Sequence, residues 1–426
     1  MSLAPILILL FGIAIGIPVA MAIGMAALSF FLLSGAMPPE IFVQRMVAVT
    51  HSFPLLAVPL FVMTGVVMNY AGITTRMMGF AEAMTGHWKG GLAQVNVLLS
   101  TLMGGVSGSA NADAAMQSKV LVPEMTRRGY DLAFSSAVTA SSSIISVIIP
   151  PGIGLILYGF MGDVSIGRLF LAGIVPGVVI CAAMMVAVAI RARQLNLQPA
   201  YDRQMPWTGR ARAFRGAFLA LLVPVGTVLG IRLGYFTPTE AGAMAVLFAV
   251  IVGLIHGDLK AAHILPILEQ TMQATAVILL VICAANAFGF YMTWERIPAQ
   301  VAEAMLSLTS DPLLLLLIIN LLLILAGMFI EGSAALILLT PILVPVITKL
   351  GVDPVHFGIV MVFNLTIAGV TPPLGTLMFT TCLITGTPIG KFIRASLPFY
   401  IVLFGMLIVL TYVPQLSLWL PNLKFD

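Results

Sequence analysis

The chain has 426 residues, of which 60% are hydrophobic and only 8% are charged. Soluble domains carry about 25% charged residues, so this composition excludes an ordinary water-soluble globule. The formal net charge of +4 is small and gives no reason to expect a nucleic-acid partner, because such proteins cluster Lys and Arg on one face. We therefore expect the lipid bilayer to surround most of the chain.

The three cysteines lie in separate apolar runs, at Cys181, Cys283 and Cys382. They form no CxxC pair and no metal-ligand spacing, so we expect small buried side chains and no cofactor. The N-terminal apolar run lacks a preceding basic segment, and we expect no cleavable signal peptide.

Ten apolar segments are predicted to cross the membrane, since each crossing needs about 20 mostly apolar residues. The first run, 3–35, is too long for one helix, and Pro18 divides it into two. The other predicted crossings cover residues 53–70, 132–162, 168–191, 217–233, 238–256, 266–290, 354–386 and 391–418.

Two further apolar blocks, 92–126 and 313–349, contain a break near the middle. The breaks are the small-residue run 104–109 and the polar run 331–333. Each block is short for two full crossings, so we predict re-entrant hairpins whose tips meet near the bilayer centre. Non-helical backbone is tolerated there when it is buried in protein or lines a water-filled cavity.

The distribution of Lys and Arg predicts the orientation of the chain. Residues 191–215 contain six arginines and are the best candidate for a cytoplasmic segment. Counting crossings from this segment places 14 basic residues inside and 6 outside, with both termini in the periplasm.

The chain also contains an internal repeat. Position 105 matches position 327, and the other matched pairs are separated by the same number of residues, which we call the repeat offset. The predicted orientation makes the two copies run in opposite directions, which is typical of secondary transporters that bind substrate at the repeat interface. The matched positions include Gly105 with Gly327, Pro123 with Pro345, Asp131 with Asp353, and Pro150-Pro151 with Pro372-Pro373.

Each repeat combines a hairpin with a helix that a Pro-Pro pair interrupts, and this combination predicts ion sites. The interruption frees carbonyl oxygens, and the hairpin tips add hydroxyl and amide oxygens. Na⁺ prefers several oxygen ligands, so we expect one Na⁺ per repeat, with an anionic substrate between them near helix N-termini. The candidate Na⁺ ligands are Ser107, Ser109, Asn111, Ser142, Ser333, Asn364 and Thr371. The candidate substrate and translocation region comprises Asp113, Ser143, Pro150, Pro151, Gly152, Glu331, Pro372, Pro373 and Thr376.

Several of these residues could have a structural role instead of a functional one. Asp113 and Glu331 are the acids near the hairpin tips. Inserting a charged side chain at the bilayer centre costs about 2.5–3.5 kcal/mol, so both residues are functional candidates. The alternative is that they cap helix N-termini. The serines could instead bond to carbonyls one turn earlier in their own helices. Glu240, which follows Thr237-Pro-Thr239, is predicted to cap a helix.

Six short sequence runs, spread over the whole chain, together resemble those of one known family. They are Phe53-Pro-Leu-Leu-Ala-Val-Pro59, Ser107-Gly-Ser-Ala-Asn-Ala-Asp113, Ile149-Pro-Pro-Gly-Ile-Gly154, Leu171-Ala-Gly-Ile-Val-Pro-Gly177, Phe236-Thr-Pro-Thr-Glu-Ala-Gly242 and Thr371-Pro-Pro-Leu-Gly375. The chain resembles the large membrane subunit, the DctM type, of tripartite ATP-independent periplasmic (TRAP) transporters. The resemblance implies Na⁺-coupled import of a small organic acid, a carboxylate or sulfonate, by an elevator mechanism in a bacterial inner membrane. It also implies a small four-helix membrane subunit and a soluble periplasmic substrate-binding protein as partners.

The resulting fold prediction is an all-α polytopic membrane protein with about ten transmembrane helices and two re-entrant hairpins in two inverted-topology repeats, of the elevator type. The predicted segments are scaffold helices in 1–70, an interfacial helix in 71–91, hairpin 1 in 92–126, the interrupted and following helices in 127–191, a basic loop in 192–216, scaffold helices in 217–290, an interfacial helix in 291–312, hairpin 2 in 313–349, and the interrupted and last helices in 350–426.

Three other functions compete with this one. A stand-alone Na⁺/dicarboxylate carrier or ion exchanger has a related architecture and needs no binding protein. A passive channel fits poorly, because paired inverted hairpins favour alternating access. An intramembrane serine protease could use Gly105-Val-Ser-Gly108, but its nucleophile needs a base, and the five histidines lie in loops or at helix ends. The chain is therefore predicted not to be an enzyme.

Overall fold

The computed structural model describes residues 3–33, 37–201, 203–309 and 311–423. Within these ranges the chain is entirely helical and contains no β-strand. Among the described residues, eight helices are long and apolar enough to cross a membrane, and the bent pair at residues 132–162 makes a ninth when it is counted as one span. The all-α polytopic class predicted from the sequence is confirmed. The remaining apolar helices are 10 to 17 residues long.

The helices follow one another with short connections. Those of the first half are α1 Ala4–Ala14, α2 Val19–Leu33, α3 Glu40–Ala48, α4 Ala57–Tyr70, α5 Ile73–Thr85, α6 Gly91–Ser107, α7 Ala110–Arg127, α8 Leu132–Ser143, α9 Ile145–Ile148, α10 Ile153–Gly162 and α11 Ile166–Gln194. Those of the second half are α12 Trp207–Arg232, α13 Pro238–Ile255, α14 Ile264–Trp294, α15 Ile297–Leu308, α16 Pro312–Phe329, α17 Gly332–Lys349, α18 Pro354–Ala368, α19 Thr376–Thr385, α20 Ile389–Tyr412 and α21 Gln415–Asn422.

The helix boundaries repeat at the same offset as the sequence. Helices α7 and α17 are both 18 residues long, and the offset carries Ala110, where α7 begins, onto Gly332, where α17 begins. The same offset carries Leu132, the first residue of α8, onto Pro354, the first residue of α18. The two copies therefore share secondary structure as well as sequence.

The same cap begins α8 and α18. A side-chain oxygen of Asp131 accepts a hydrogen bond from the backbone N–H of Phe134, and one of Asp353 accepts from that of Val355. Such a cap satisfies one of the N–H groups that the first turn of a helix leaves free.

Replacing Asp131 with Ala is expected to destabilise the protein by about 1 kcal/mol, because the first turn of α8 loses its cap. The thermal unfolding midpoint of the purified protein measures this. Asp131→Asn retains a side-chain acceptor and should stay close to the wild type. An equal loss in both variants would contradict a capping role.

Both Pro-Pro pairs interrupt a helix. The pair Pro150-Pro151 separates α9 from α10, and the chain bends by 46° there. The pair Pro372-Pro373 separates α18 from α19 in the second copy. Both Pro-Pro bonds are cis. Two consecutive prolines remove two backbone N–H donors and clash with the preceding turn, so the helix ends before the pair and a new one begins after it.

The two hairpin blocks each form a pair of helices with a turn at the expected place. Helix α6 ends at Ser107 and α7 begins at Ala110, with Gly108 in the left-handed conformation between them.

Helix α16 ends at Phe329 and α17 begins at Gly332. Helices α16 and α17 are each about 27 Å long at 1.5 Å per residue, close to the thickness of a bilayer core of about 30 Å, so each is long enough to cross alone. Block 313–349 is therefore not short for two crossings, contrary to the expectation from its sequence, because only Ile330 and Glu331 separate the two helices.

Two predicted boundaries differ from the structure. The basic segment 192–216 is partly helical, because α12 begins at Trp207 and includes Arg210, Arg212 and Arg215. The predicted last crossing, 391–418, ends at Tyr412, and Pro414 precedes the separate short helix α21. Proline restricts the residue before it to extended conformations, which explains this second boundary.

The interrupted helices lie at the centre of the protein. Helices α8 and α18 are buried along nearly their whole length. Helices α6, α7 and α20 pack on α8, and α16, α17 and α20 pack on α18. Helices α2 and α4 instead pack on α14 and α13. Cys181 and Cys382 are buried in this core, and Cys283 is half-buried.

Candidate functional site

A central cavity lies where the two hairpin turns meet the two interrupted helices. Its volume is about 100 Å³. Its polar lining comes from both copies of the repeat. The polar side chains are those of Ser109, Asn111, Glu331, Ser333, Thr366 and Thr376. Among the described residues, no Lys, Arg or His lines this cavity.

Four helices begin at the central cavity. The first residues of α7 and α17, near Asn111 and Ser333, line it from the hairpins. The first residues of α10 and α19, Ile153 and Thr376, line it from the interrupted helices. Each helix N-terminus carries a partial positive charge. Some N–H groups of these first turns already donate to protein oxygens, and those of Asn111, Gly154 and Thr376 have no such bond among the described residues. The cavity can therefore stabilise an anion without a basic side chain.

The structure brings some of the predicted residues to the cavity and leaves others behind it. Five predicted residues line it: Ser109, Asn111, Glu331, Ser333 and Thr376. The predicted residues outside its lining are Ser107, Asp113, Ser142, Ser143, Pro150, Pro151, Gly152, Asn364, Thr371, Pro372 and Pro373. These lie in the helices and breaks that lead to the cavity.

Asn111, near the turn of hairpin 1, has a side-chain oxygen that is free to bind a ligand. Its side-chain oxygen is buried and has no hydrogen-bond partner among the described residues. The neighbouring serines are occupied: the Ser109 hydroxyl accepts from the Ala112 N–H at 3.4 Å, and the Ser107 hydroxyl donates to the Met103 carbonyl at 3.4 Å. A buried amide oxygen without a partner is costly, so this atom is suited to a cation.

Glu331 caps the second helix of hairpin 2. Its carboxylate accepts from the Ala334 N–H and from the Ser333 hydroxyl, each at 3.1 Å. Ser109 occupies the matching position in the first copy and caps α7 in the same way. Glu331 therefore makes the contacts of a helix cap, and its carboxylate also lines the cavity.

The turn of hairpin 1 is joined to the first break by backbone contacts. The Ile153 N–H donates to the Gly108 carbonyl at 3.1 Å. Gly108 has a φ of +55°, and a Cβ atom there would lie 2.5 Å from the carbonyl oxygen of Pro151. Only glycine meets both conditions, so this junction positions the hairpin tip against the interrupted helix.

The second break is held by hydroxyl groups. The Tyr400 hydroxyl donates to the Val370 carbonyl at 2.6 Å, and the Thr371 hydroxyl donates to the Ile367 carbonyl at 2.8 Å. The Gly369 carbonyl accepts from the N–H groups of Leu377 and Met378 at the start of α19. The Thr371 hydroxyl is thus occupied as a donor, and its oxygen can still accept.

Behind hairpin 1 lies a fully buried polar network. The Ser142 hydroxyl donates to the Asn96 side-chain oxygen at 2.8 Å and accepts from Ser100 at 3.1 Å. The Gln117 amide donates to Ser100 at 2.7 Å and to one carboxylate oxygen of Asp113 at 2.8 Å. The other Asp113 oxygen is buried and has no partner among the described residues. This network connects α8 to both helices of hairpin 1.

A second buried network, with different partners, lies behind hairpin 2. The Asn364 amide donates to the side-chain oxygen of Asn320 at 2.8 Å and to its backbone oxygen at 3.0 Å. The Asn320 amide donates to Thr411 at 2.9 Å. The Asn364 oxygen is buried without a partner in the described part of the chain, as the Asn111 oxygen is.

The partners in these networks were not predicted from the sequence. They are Asn96, Ser100, Gln117, Asn320 and Thr411. A signal was available for Asn320, because it is an amide in an otherwise apolar helix. A polar side chain in such a helix must find a partner, which indicates a contact with a neighbouring helix.

Long apolar helices, two interrupted helices and a polar central cavity define a polytopic membrane transporter. A family profile described as "Tripartite ATP-independent periplasmic transporter, DctM component" matches residues 6–416. The chain belongs to this family, as its motifs predicted. It is accordingly a transport component rather than an enzyme, and a multi-pass protein of the bacterial inner membrane. Family membership also gives it a small membrane subunit and a periplasmic binding protein as partners.

Individual relatives agree with the family assignment. The sialic acid TRAP transporter large permease protein SiaM of Vibrio cholerae is 38% identical over 412 residues, which are 96% of this chain and 95% of the relative. The C4-dicarboxylate TRAP transporter large permease protein DctM of Pseudomonas aeruginosa is 36% identical over 88% of this chain and 87% of its own. The YdaH transporter of Alcanivorax borkumensis shares the fold, with a TM-score of 0.63 at 16% identity over 98% of each chain.

Proposed function

We propose that this chain imports a small organic acid, a carboxylate or sulfonate, driven by Na⁺. The observation that carries the proposal is the convergence of four helix N-termini on a cavity whose described lining has no basic side chain and one acid, Glu331, which caps α17. Such a cavity favours an anionic group. The named substrates of two relatives, sialic acid and C4-dicarboxylates, belong to the same chemical class.

Na⁺ would bind beside the substrate at two related places. The buried oxygens of Asn111 and Asn364 have no partner among the described residues, and they belong to different copies of the repeat. Oxygen-only coordination suits a hard cation. The carbonyls released at the two breaks would complete the ligand sets, together with the hydroxyls of Ser107, Ser109, Ser142, Ser333 and Thr371.

The transport step would be an elevator movement. Hairpins α6–α7 and α16–α17 would be re-entrant and would move with the interrupted helices and the cavity. Helices α2, α4, α13 and α14, which pack mainly on one another, would form the fixed scaffold. The two copies would have inverted topology, and both chain termini would lie in the periplasm. The periplasmic binding protein would deliver the acid to this face.

Thermal unfolding tests the coupling ion without a known substrate. Purified protein is unfolded in NaCl, KCl or choline chloride at constant ionic strength. A ligand bound only to the folded state adds about 2.7 kcal/mol at a hundred times its Kd. We expect Na⁺ alone to raise the midpoint, and Asn111→Ala or Asn364→Ala to reduce this increase.

Asn69→Ala is the matched control, because Asn69 is an exposed amide that accepts from Thr74 and does not line the cavity. Its Na⁺ response should equal that of the wild type. An absence of any Na⁺ preference in the wild-type protein would reject Na⁺ coupling at these positions. An equal loss in the Asn69 variant would show that the effect is not local.

A further inference from the structure

A second, open cleft lies at the opposite ends of two helices that begin at the central cavity. Helices α7 and α19 pack against each other. Their first residues line the central cavity, and their last turns line a cleft of about 630 Å³. Its lining residues with polar groups are Ser118, Lys119, Thr126, Arg127 and Thr385.

The charge of this cleft is positive. Lys119 is exposed, and it has no hydrogen bond or ion pair among the described residues. Arg127 pairs with Glu124 at 3.0 Å, but Glu124 also pairs with Arg128 at 2.9 Å. One carboxylate therefore serves two guanidinium groups. Within the described part of the chain, no acidic residue lines the cleft itself.

Ser118 adds a second and independent feature. The residue is only 2% exposed, and its hydroxyl has no hydrogen-bond partner in the described chain. It belongs to the lining of the cleft, one position before Lys119. The hydroxyls of Thr126 and Thr385 already donate to carbonyls of their own helices, at 2.9 and 2.8 Å. Ser118 is thus the lining hydroxyl with a donor available for a ligand.

We propose that this cleft binds an oxyanion, a phosphate or carboxylate group, between Lys119 and Arg127 with a hydrogen bond from Ser118. Lys119 supplies a mobile positive charge, and Arg127 supplies a planar set of donors. The oxyanion has two sources, a soluble acid or phosphate and the headgroup of an anionic lipid. The cleft is separate from the central cavity, and binding there requires neither Na⁺ nor the transported substrate.

The soluble arm of the test titrates purified protein with potassium phosphate against potassium chloride at constant ionic strength, without Na⁺. The readout is the thermal unfolding midpoint. We expect Lys119→Gln to raise the half-saturating phosphate concentration about tenfold or more, because it removes a charge-assisted hydrogen bond to the anion. Ser118→Ala should raise it by a smaller factor.

The lipid arm reconstitutes the protein in vesicles of phosphatidylcholine mixed with phosphatidylglycerol. Native mass spectrometry then counts the phosphatidylglycerol that stays bound after extraction. Loss of bound lipid in Lys119→Gln without a phosphate effect identifies the headgroup as the ligand. A phosphate effect lost in Lys119→Gln identifies a soluble anion, and either result supports the site.

Lys89→Gln is the matched control, because Lys89 is an exposed lysine in a loop that does not line the cleft. It should leave both readouts within twofold of the wild type, about 0.4 kcal/mol. The proposal is overturned if the wild type binds neither probe, if Lys119→Gln leaves binding unchanged, or if Lys89→Gln weakens it equally. All these results are independent of Na⁺ coupling, so the site and the proposed function can fail separately.

Discussion

Gly108→Ala is expected to lower transport by about a hundredfold. Any L-residue at this position is strained by the φ of +55°, and the added methyl group would lie 2.5 Å from the Pro151 carbonyl oxygen. A backbone atom cannot rotate away, so the hairpin tip must move from the first break. An overpacking cost of about 3 kcal/mol in the competent state corresponds to about a hundredfold. Uptake by the reconstituted three-component system measures the effect.

Gly129→Ala separates the clash from the backbone strain. Gly129 also has a positive φ, +82°, but a Cβ atom there has no neighbour within 4 Å. Its equivalent in the second copy, Gly351, has the same open surroundings. Gly129→Ala and Gly351→Ala should therefore have only the backbone strain, without a steric clash, and should retain most transport. If Gly108→Ala transports as well as Gly129→Ala, the junction between the hairpin and the break is not needed.

The architecture was predictable because the bilayer imposes strong constraints on sequence. Apolar runs of fixed length indicate the helices, and proline indicates their interruptions at Pro150-Pro151 and Pro372-Pro373. Boundaries were less predictable where a helix extends beyond the apolar run. Trp207 begins α12 ahead of three arginines, because charged residues at the membrane surface are compatible with helix formation.

The hairpin tips were predictable for a similar reason. Polar residues in an apolar block must find partners, and Asn111 and Ser333 do lie at the cavity. Their contacts were not predictable, because a cap and a ligand use the same residue types. The structure shows that Ser109 and Glu331 cap their helices, while the Asn111 oxygen has no partner in the described chain.

The supporting networks could not be derived from the repeat. Ser142 and Asn364 are equivalent positions of the two copies, but their partners are not. Asn96 corresponds to Ile318, and Asn320 corresponds to Leu98. The two copies place an amide beside the interrupted helix from different positions of α6 and α16. Such convergence depends on how the helices pack, which self-comparison of the sequence does not contain.

Asp113→Asn is expected to raise the Na⁺ concentration for half-maximal transport about thirtyfold. Asp113 is fully buried in the first turn of α7, and only one of its carboxylate oxygens has a partner among the described residues, Gln117. A buried charge needs a counter-charge, and the α7 N-terminus supplies only about half of one. If Na⁺ binds at Asn111 as proposed, two residues before Asp113 in α7, attraction across about 8 Å at an effective dielectric constant of about 20 would add about 2 kcal/mol, equivalent to about thirtyfold in affinity.

Asn keeps the size of the side chain, so this variant removes charge with little change in packing. Asp163→Asn is the matched control, because Asp163 is an exposed acid just after α10. Its Na⁺ dependence should equal that of the wild type. A helix-terminal role for Asp113 alone predicts a different outcome, in which Asp113→Asn lowers the unfolding midpoint equally in Na⁺ and K⁺ and leaves the Na⁺ dependence of transport unchanged. That outcome would remove Asp113 from the proposed Na⁺ coupling, which would then rest on the buried side-chain oxygens of Asn111 and Asn364.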